Sequence, residues 1–437
     1  MSLTNKDKGE YPTNQRWERY NKTNRRYIVF VGCLLMQFVA IAMPSSMLGI
    51  VYVDVTREFD AEASEAALML SLFRGIAFGG GVIGEMVIRR VGEFPCIIAA
   101  SLVGSISILA SAFAQSMTAI VLLIGVGTGC ACVFPTLLSY VYISRSFPRK
   151  YVSKFLIMMT VGAGLGLLTT PYMTEFFLSQ FGWRGTFMMA SGLFFHLFLV
   201  GIVVQFNLPP LDGPRKAKEF KWTDQIAIFK NRTYSVYLFD MLLFGIFGFV
   251  VPWFLPDFVV SNNYTKQDAA LLLTISGVSN IVGRILAGTL DPFFSRTKII
   301  YHWGYIFAII AVSFAFFPFF MGNFSVLCGA SLVYGTCFGL IVSQSVPIVV
   351  QALPLTLTSI GMATDFTAYG LCTVLGGYVC GLIRDVTGGY DAVFYMSSGT
   401  VIVCSFMCVL LLFLDKTCKR KIPNNVHINT ISIISHL

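Results

Sequence analysis

Long apolar runs recur along the whole chain, and they restrict its fold more than any other feature. A helix needs about 20 mostly apolar residues to cross the hydrocarbon core of a bilayer. We count twelve segments of the 437-residue chain that meet this requirement. The pattern predicts an all-α membrane protein with twelve transmembrane helices. The predicted spans are 28–53, 66–88, 95–115, 118–143, 155–179, 185–207, 234–260, 268–290, 299–320, 324–350, 357–383 and 391–414.

The composition excludes several classes of protein. Hydrophobic residues make up 56% of the chain and charged residues only 12%, whereas a soluble domain has about 25% charged residues. A soluble enzyme, a disordered chain and a nucleic-acid-binding module are therefore excluded. The sequence also offers no nucleophile–base constellation and no cluster with metal-ligand spacing, so we expect neither an enzyme nor a metal or cofactor site.

One connection is much longer and more polar than the others. The segment 208–232 separates six predicted spans from six, and it contains three prolines and a glycine. Two bundle-forming halves joined by a polar loop would give this arrangement. The predicted divisions are an N-terminal tail (1–27), a first six-helix bundle (28–207), a central loop (208–232), a second six-helix bundle (233–414) and a C-terminal tail (415–437).

The distribution of Lys and Arg predicts the orientation in the membrane. With a cytoplasmic N-terminus, 25 of the 31 Lys and Arg residues lie in cytoplasmic segments and four in outer loops. Cytoplasmic loops carry an excess of Lys and Arg, so we expect both termini in the cytoplasm. The same bias accounts for the net charge of +9 without a nucleic-acid partner.

The other two cationic residues, Arg74 and Arg284, fall inside predicted spans. A charge at mid-membrane costs at least about 2.5–3.5 kcal/mol, so we expect each of these arginines to have a structural or functional role. Arg284 shares a helix face with Asn280, four residues earlier. It is a candidate for binding an anionic solute or for gating, and its structural alternative is snorkelling to the inner headgroups.

Asp365 lies deep in the eleventh span and is too short to snorkel. Arg284 is its expected partner, either in a functional exchange or in a static salt bridge. Arg74 lies near mid-depth in the second span, where it would be a second anion ligand or would pair across the two halves. Four aromatic residues, each with a packing alternative, are expected to line the cavity: Phe247, Phe249, Trp253 and Tyr369.

Several motifs resemble those of the monocarboxylate transporter family of the major facilitator superfamily. The most specific is Phe181-Gly-Trp-Arg-Gly185, preceded by Phe147-Pro-Arg-Lys150 and the glycine-rich Gly162-Ala-Gly-Leu-Gly166. Gly283-Arg284 and the run from Gly377 to Tyr390 also match. The resemblance implies the major facilitator fold and a substrate-anion role for Arg284.

Two departures concern proton handling. The lysine in the first helix of proton-coupled lactate carriers falls on or next to Ser46, and the aspartate one turn before their arginine falls on Asn280. Both of these positions are therefore uncharged in this chain. Lactate–proton symport is doubtful for this reason, although Asp365 offers a different proton site.

The expected function is transport of monocarboxylate-type organic anions by alternating access, as a symporter or a uniporter. One alternative is a facilitative carrier of aromatic amino acids or hormone-like carboxylates, and another is a non-transporting membrane sensor or accessory protein. The expected location is the plasma membrane. The expected partners are a small organic anion, protons, the lipid bilayer, a single-span chaperone subunit and a PDZ-type domain at Leu437.

Overall fold

The computed structural model describes residues 24–60, 63–209, 222–291 and 298–420, which are helical over most of their length. The described helices are α1 (Arg25–Gln37), α2 (Met43–Glu58), α3 (Ala63–Gly79), α4 (Gly81–Val91), α5 (Glu93–Ser111), α6 (Met117–Ile120), α7 (Gly129–Ser146), α8 (Arg149–Met159), α9 (Val161–Asn207), α10 (Trp222–Ile228), α11 (Arg232–Phe247), α12 (Val250–Ser261), α13 (Lys266–Thr289), α14 (Ile299–Phe319), α15 (Phe324–Ala352), α16 (Leu355–Thr387) and α17 (Asp391–Arg420). Two π-helical segments, Phe38–Ala42 and Val121–Thr128, join α1 to α2 and α6 to α7.

Within the described residues, nine helices are long and apolar enough to cross a membrane, or ten if a bent pair counts as one span. The prediction of twelve spans remains a prediction. Two breaks in the helices explain why ten spans are counted where the sequence predicts twelve. Helix α9 includes a non-helical residue, Gly182, between the predicted fifth and sixth spans. The predicted seventh span is divided at Gly248 and Phe249 into α11 and α12, each shorter than 18 residues.

The bent pair is made of α3 and α4, whose axes differ by 50°. The bend leaves the backbone N–H of Val82 free to donate to the Thr367 hydroxyl of α16 at 3.0 Å. Glycines allow this close approach, because a Cβ on Gly370 would overlap the backbone of Gly79. Helices before and after the central segment 208–232 therefore contact each other along α3, α4 and α16.

A second contact between the two parts of the chain joins α8 and α9 to α13. It includes a hydrogen bond of 2.6 Å from the Ser153 hydroxyl to the Asp291 carboxylate. Arg89 at the end of α4 donates to the Ser359 hydroxyl of α16 at 2.9 Å. Both bonds lie at the end of the molecule where α1 begins, whereas α2 and α12, at the other end, pack onto helices of their own halves.

Candidate functional site

A cavity of about 310 Å³ lies between the two halves of the chain. Its volume is near the lower end of the range of about 300–1,000 Å³ that small-molecule sites occupy. The wall includes three charged side chains, those of Arg74, Arg284 and Asp365, together with polar and aromatic groups. The polar and aromatic residues of the wall are Gln37, Ser45, Phe78, Tyr140, Thr160, Phe249, Ser276, Asn280, Tyr334, Phe338, Ser345, Phe366, Tyr369 and Thr373.

Arg284 is held at the cavity wall by two acceptors. Its Nε donates to Asn280 Oδ1 at 2.8 Å, and its Nη1 donates to the carbonyl oxygen of Thr160 at 3.0 Å. A guanidinium group has five N–H donors, so three remain, one on Nη1 and two on Nη2. The residue is only 4% exposed. Arg284 therefore has a fixed orientation and keeps three N–H donors that no described residue accepts.

Close helix packing explains how α13 holds Arg284 so firmly. A Cβ on Gly283 would overlap the carbonyl oxygen of Thr336, and a Cβ on Gly339 would overlap that of Asn280. These glycines let the backbones of α13 and α15 approach each other closely. On α9, a Cβ on Gly164 would lie 3.2 Å from Arg284 Cδ. The glycine-rich start of α9 thus leaves room for the arginine side chain.

The expected ion pair between Arg284 and Asp365 is wrong for this structure. Arg284 uses the neutral oxygens of Asn280 and Thr160 instead. Asp365 is 4% exposed, and its Oδ1 makes no hydrogen bond to any described residue. The Tyr237 hydroxyl faces this carboxyl group, but the contact is too loose for a standard hydrogen bond. The physical reason is that Arg284 of α13 is anchored by two neutral acceptors, whereas Asp365 extends from a different helix, α16.

Arg74 also faces the cavity, from α3 near the bend into α4. It makes no ion pair or hydrogen bond with any residue that the structure describes. The Tyr369 hydroxyl of α16 is close enough to interact electrostatically with Arg74 and also with Arg284. The structure therefore brings Arg74, Arg284 and Tyr369 together around one space.

The aromatic predictions have mixed outcomes. Tyr369 and Phe249 line the cavity, and their ring centroids are 5.7 Å apart. Phe247 does not line it: this residue packs against the apolar core, because the helix break at Gly248 and Phe249 turns the chain between them. The side chain of Trp253 lies outside the described residues, as does the whole of Leu437.

Sequence reasoning missed several residues of the site. Gln37, Tyr140 and Thr160 line the cavity from the first half of the chain. Gln37 donates to Ser139 at 2.8 Å, and Thr160 accepts from Arg284 because α8 and α9 meet there. A polar residue within an apolar span was the available signal for Gln37. Ser45, rather than its neighbour Ser46, is the serine of α2 that faces the cavity.

The comparisons with known proteins agree with this architecture. The family model of the Major Facilitator Superfamily matches residues 33–376 and 234–433, which together cover most of the chain. Proteins of this superfamily are membrane transporters, so the chain is a multi-pass integral membrane protein and not an enzyme.

Three similar proteins carry the name monocarboxylate transporter. Monocarboxylate transporter 6 of Homo sapiens is 25% identical over 405 residues, which are 85% of this chain and 77% of that protein. Monocarboxylate transporter 4 of Gallus gallus is 22% identical over 416 residues, 92% and 85% of the two chains. Monocarboxylate transporter 11 of Mus musculus is 25% identical over 373 residues, 82% and 81% of the two chains.

A solved structure supports the fold independently. The crystal structure of the E. coli fucose:proton symporter superposes with a TM-score of 0.69 at 14% identity, covering 89% of this chain and 99% of that one. The alternative of a non-transporting membrane sensor or accessory protein has no support among these similarities. This protein belongs to the major facilitator superfamily of membrane transporters, as a divergent relative of the monocarboxylate transporters.

Proposed function

We propose that this protein transports small organic anions of the monocarboxylate type by alternating access, and that Arg284 binds their carboxylate. The observation that carries the proposal is a buried arginine at the wall of the central cavity with three N–H donors, on Nη1 and Nη2, that no described residue accepts. A carboxylate can accept from these donors through charge-assisted hydrogen bonds. The anion would also offset the cost of keeping the guanidinium charge away from water.

The contacts between the halves support an outward-facing state. They include the bonds Ser153–Asp291 and Arg89–Ser359, on the side of the cavity where α1 begins. The excess of Lys and Arg predicts that this side is cytoplasmic. In the proposed cycle, the solute enters from outside, these bonds then break, and the cavity opens inward. We place the carrier in the plasma membrane with both termini cytoplasmic.

The test is uptake into cells of labelled lactate, pyruvate, aromatic amino acids and larger organic anions. Uptake is measured at about pH 6 and at about pH 7.5. Arg284→Ala should abolish uptake while surface expression stays normal, and Arg284→Lys should recover only part of it because lysine lacks the planar fork. Arg90→Gln is the matched control, since Arg90 is an exposed arginine at the end of α4. Normal uptake by Arg284→Ala would rule out the proposed role.

A second candidate function is transport of aromatic carboxylates, including aromatic amino acids and hormone-like compounds. The aromatic part of the wall favours it: Phe78 and Tyr369 pack edge to face at 5.2 Å, and Tyr140 and Phe366 lie 5.4 Å apart. These rings come from both halves and would stack on a planar solute. Faster uptake of aromatic than of aliphatic carboxylates in the same panel would select this candidate.

Coupling to protons would rest on Asp365, the only carboxylate among the described residues of the cavity wall. Faster monocarboxylate uptake at the lower pH of the panel would support symport, and equal uptake at both would support a uniporter. A single-span chaperone subunit and a PDZ-type partner at Leu437 remain predictions from the sequence.

A further inference from the structure

We propose that Arg74 is a second anion-binding residue, and that the cavity therefore accepts solutes with two anionic groups, such as small dicarboxylates. This inference deepens the proposed function, since it takes Arg284 as the binding residue for the first carboxylate. It assigns the second carboxylate to Arg74 of α3, in the first half of the chain.

The first argument is that Arg74 has a charge but no counter-ion in the part of the chain that the structure describes. It faces the cavity and has neither an ion pair nor a hydrogen bond to a described residue. Arginines inside membrane spans normally pair with an acid or with backbone carbonyls, because an uncompensated charge is costly there. Asp365, the carboxylate on the cavity wall, does not pair with it. A solute anion would supply the missing partner.

The second argument is the relative position of the two arginines. Both guanidinium groups line the same cavity of about 310 Å³, together with Tyr369, so both act on the same space. Arg284 approaches from α13 in the second half, and Arg74 approaches from α3 in the first half. A solute that bridges them would therefore contact both halves, which is what a substrate must do to drive their relative movement.

The third argument is the surface between the two charges. The ring of Tyr369 contacts Phe78 at 5.2 Å and Phe249 at 5.7 Å, and all three line the cavity. An apolar spacer between two carboxylates would lie against these rings. The cavity volume of about 310 Å³ restricts that spacer to a few carbon atoms or a single ring.

The net charge of the cavity wall predicts that binding of a dianion is accompanied by binding of a proton. The two arginines and an ionised Asp365 give the described wall a net charge of +1, which one monoanion neutralises. A dianion leaves one excess negative charge unless Asp365 binds a proton. The titratable groups facing Asp365 are Tyr234 and Tyr237 of α11, Tyr140 of α7 and Tyr369 of its own helix. These phenols stay neutral between about pH 6 and 7.5, so dianion uptake should rise as pH falls.

The experiment compares butyrate with succinate, which have the same number of carbons and differ by one carboxylate. Uptake is measured in proteoliposomes containing the full-length wild type, Arg74→Gln, Arg74→Lys and Arg284→Gln. We expect Arg74→Gln to lower kcat/KM for succinate by about 30-fold or more, as the loss of a charge-assisted contact would. Butyrate uptake should fall at least about tenfold less than succinate uptake, because butyrate loses only the long-range charge of Arg74 and no direct contact. Arg74→Lys should restore part of succinate uptake.

The butyrate measurement also reports folding, because a misfolded variant would lose both solutes. Equal losses for both solutes in Arg74→Gln, or a wild type that carries butyrate but not succinate, would overturn the inference and leave the proposed function intact. Undiminished uptake of both by Arg284→Gln would instead overturn the proposed function. Uptake of neither solute by correctly inserted wild type would count against both.

Discussion

At the level of single residues, Asn280 determines the electrostatic state of Arg284. Its amide oxygen accepts from Arg284 Nε and adds no charge, so the guanidinium keeps its full charge for a solute. An aspartate at this position, as the proton-coupled lactate carriers have, would compete with the solute for the same cation. The neutral amide of Asn280 therefore leaves Arg284 available to bind a solute anion, whereas an aspartate at this position would neutralise it.

We therefore expect Asn280→Asp to make anion uptake strongly dependent on pH. The new carboxylate is ionised at about pH 7.5 and neutralises Arg284, so uptake should fall about tenfold, or roughly 1.4 kcal/mol of binding free energy. Acidification protonates the carboxylate and should restore uptake. The measurement is monocarboxylate uptake from about pH 5.5 to 7.5. Asn280→Leu is the control, because it removes the acceptor without adding a charge and should lower uptake equally across this range.

At the level of helices, breaks and close contacts determine which residues reach the cavity. The Phe-Gly-Trp-Arg-Gly motif is one such break. Gly182 has φ of 64° and ψ of −178°, a conformation that is essentially restricted to glycine. Arg184 then donates to the carbonyl oxygens of Ala112 and Ala114 at 3.1 Å each. The motif thus reverses the chain and attaches the turn to the end of α5.

Replacing Gly182 should therefore destabilise the protein without altering solute selectivity. Gly182→Val forces a branched side chain into a backbone region that costs about 1–3 kcal/mol. We expect the thermal transition of the detergent-solubilised protein to fall by several degrees, as followed by tryptophan fluorescence. Gly192→Val is the matched control, since a Cβ added to that glycine would have no atom within 4 Å and its φ is not positive. Equal transitions for the two variants would contradict the role of Gly182.

For the molecule as a whole, a few polar contacts join the two halves at one end of the cavity. Ser153–Asp291 connects α8 to a residue just beyond the end of α13, and Arg89–Ser359 connects α4 to the start of α16. Each bond joins one half of the chain to the other. Breaking two such bonds shifts a conformational equilibrium without touching the cavity itself.

The double variant Ser153→Ala, Ser359→Ala should favour opening at this end. We expect faster amide hydrogen exchange in α8 and at the start of α16, because the open state exposes both. The control is Thr274→Ala, whose hydroxyl donates only to Ala270 of its own helix. Unchanged exchange in both segments of the double variant would show that these bonds do not hold the closed end.

Composition and periodicity were enough to establish the fold class. Apolar runs of about 20 residues require helices, because a backbone in lipid must satisfy its own hydrogen bonds. The resemblance to a known family then added the fold and the candidate role of Arg284. These conclusions need no knowledge of which residues meet in space.

Contacts between distant helices could be read only from the folded chain. Depth alone predicts that Arg284 and Asp365 pair, but Arg284 bonds to Asn280 and the Thr160 carbonyl instead. Phe247 and Phe249 are equally aromatic, and only the break between α11 and α12 turns Phe249 toward the cavity. Side-chain partners depend on helix rotation and on local breaks, which arise from packing between segments far apart in the chain and leave no period in the sequence.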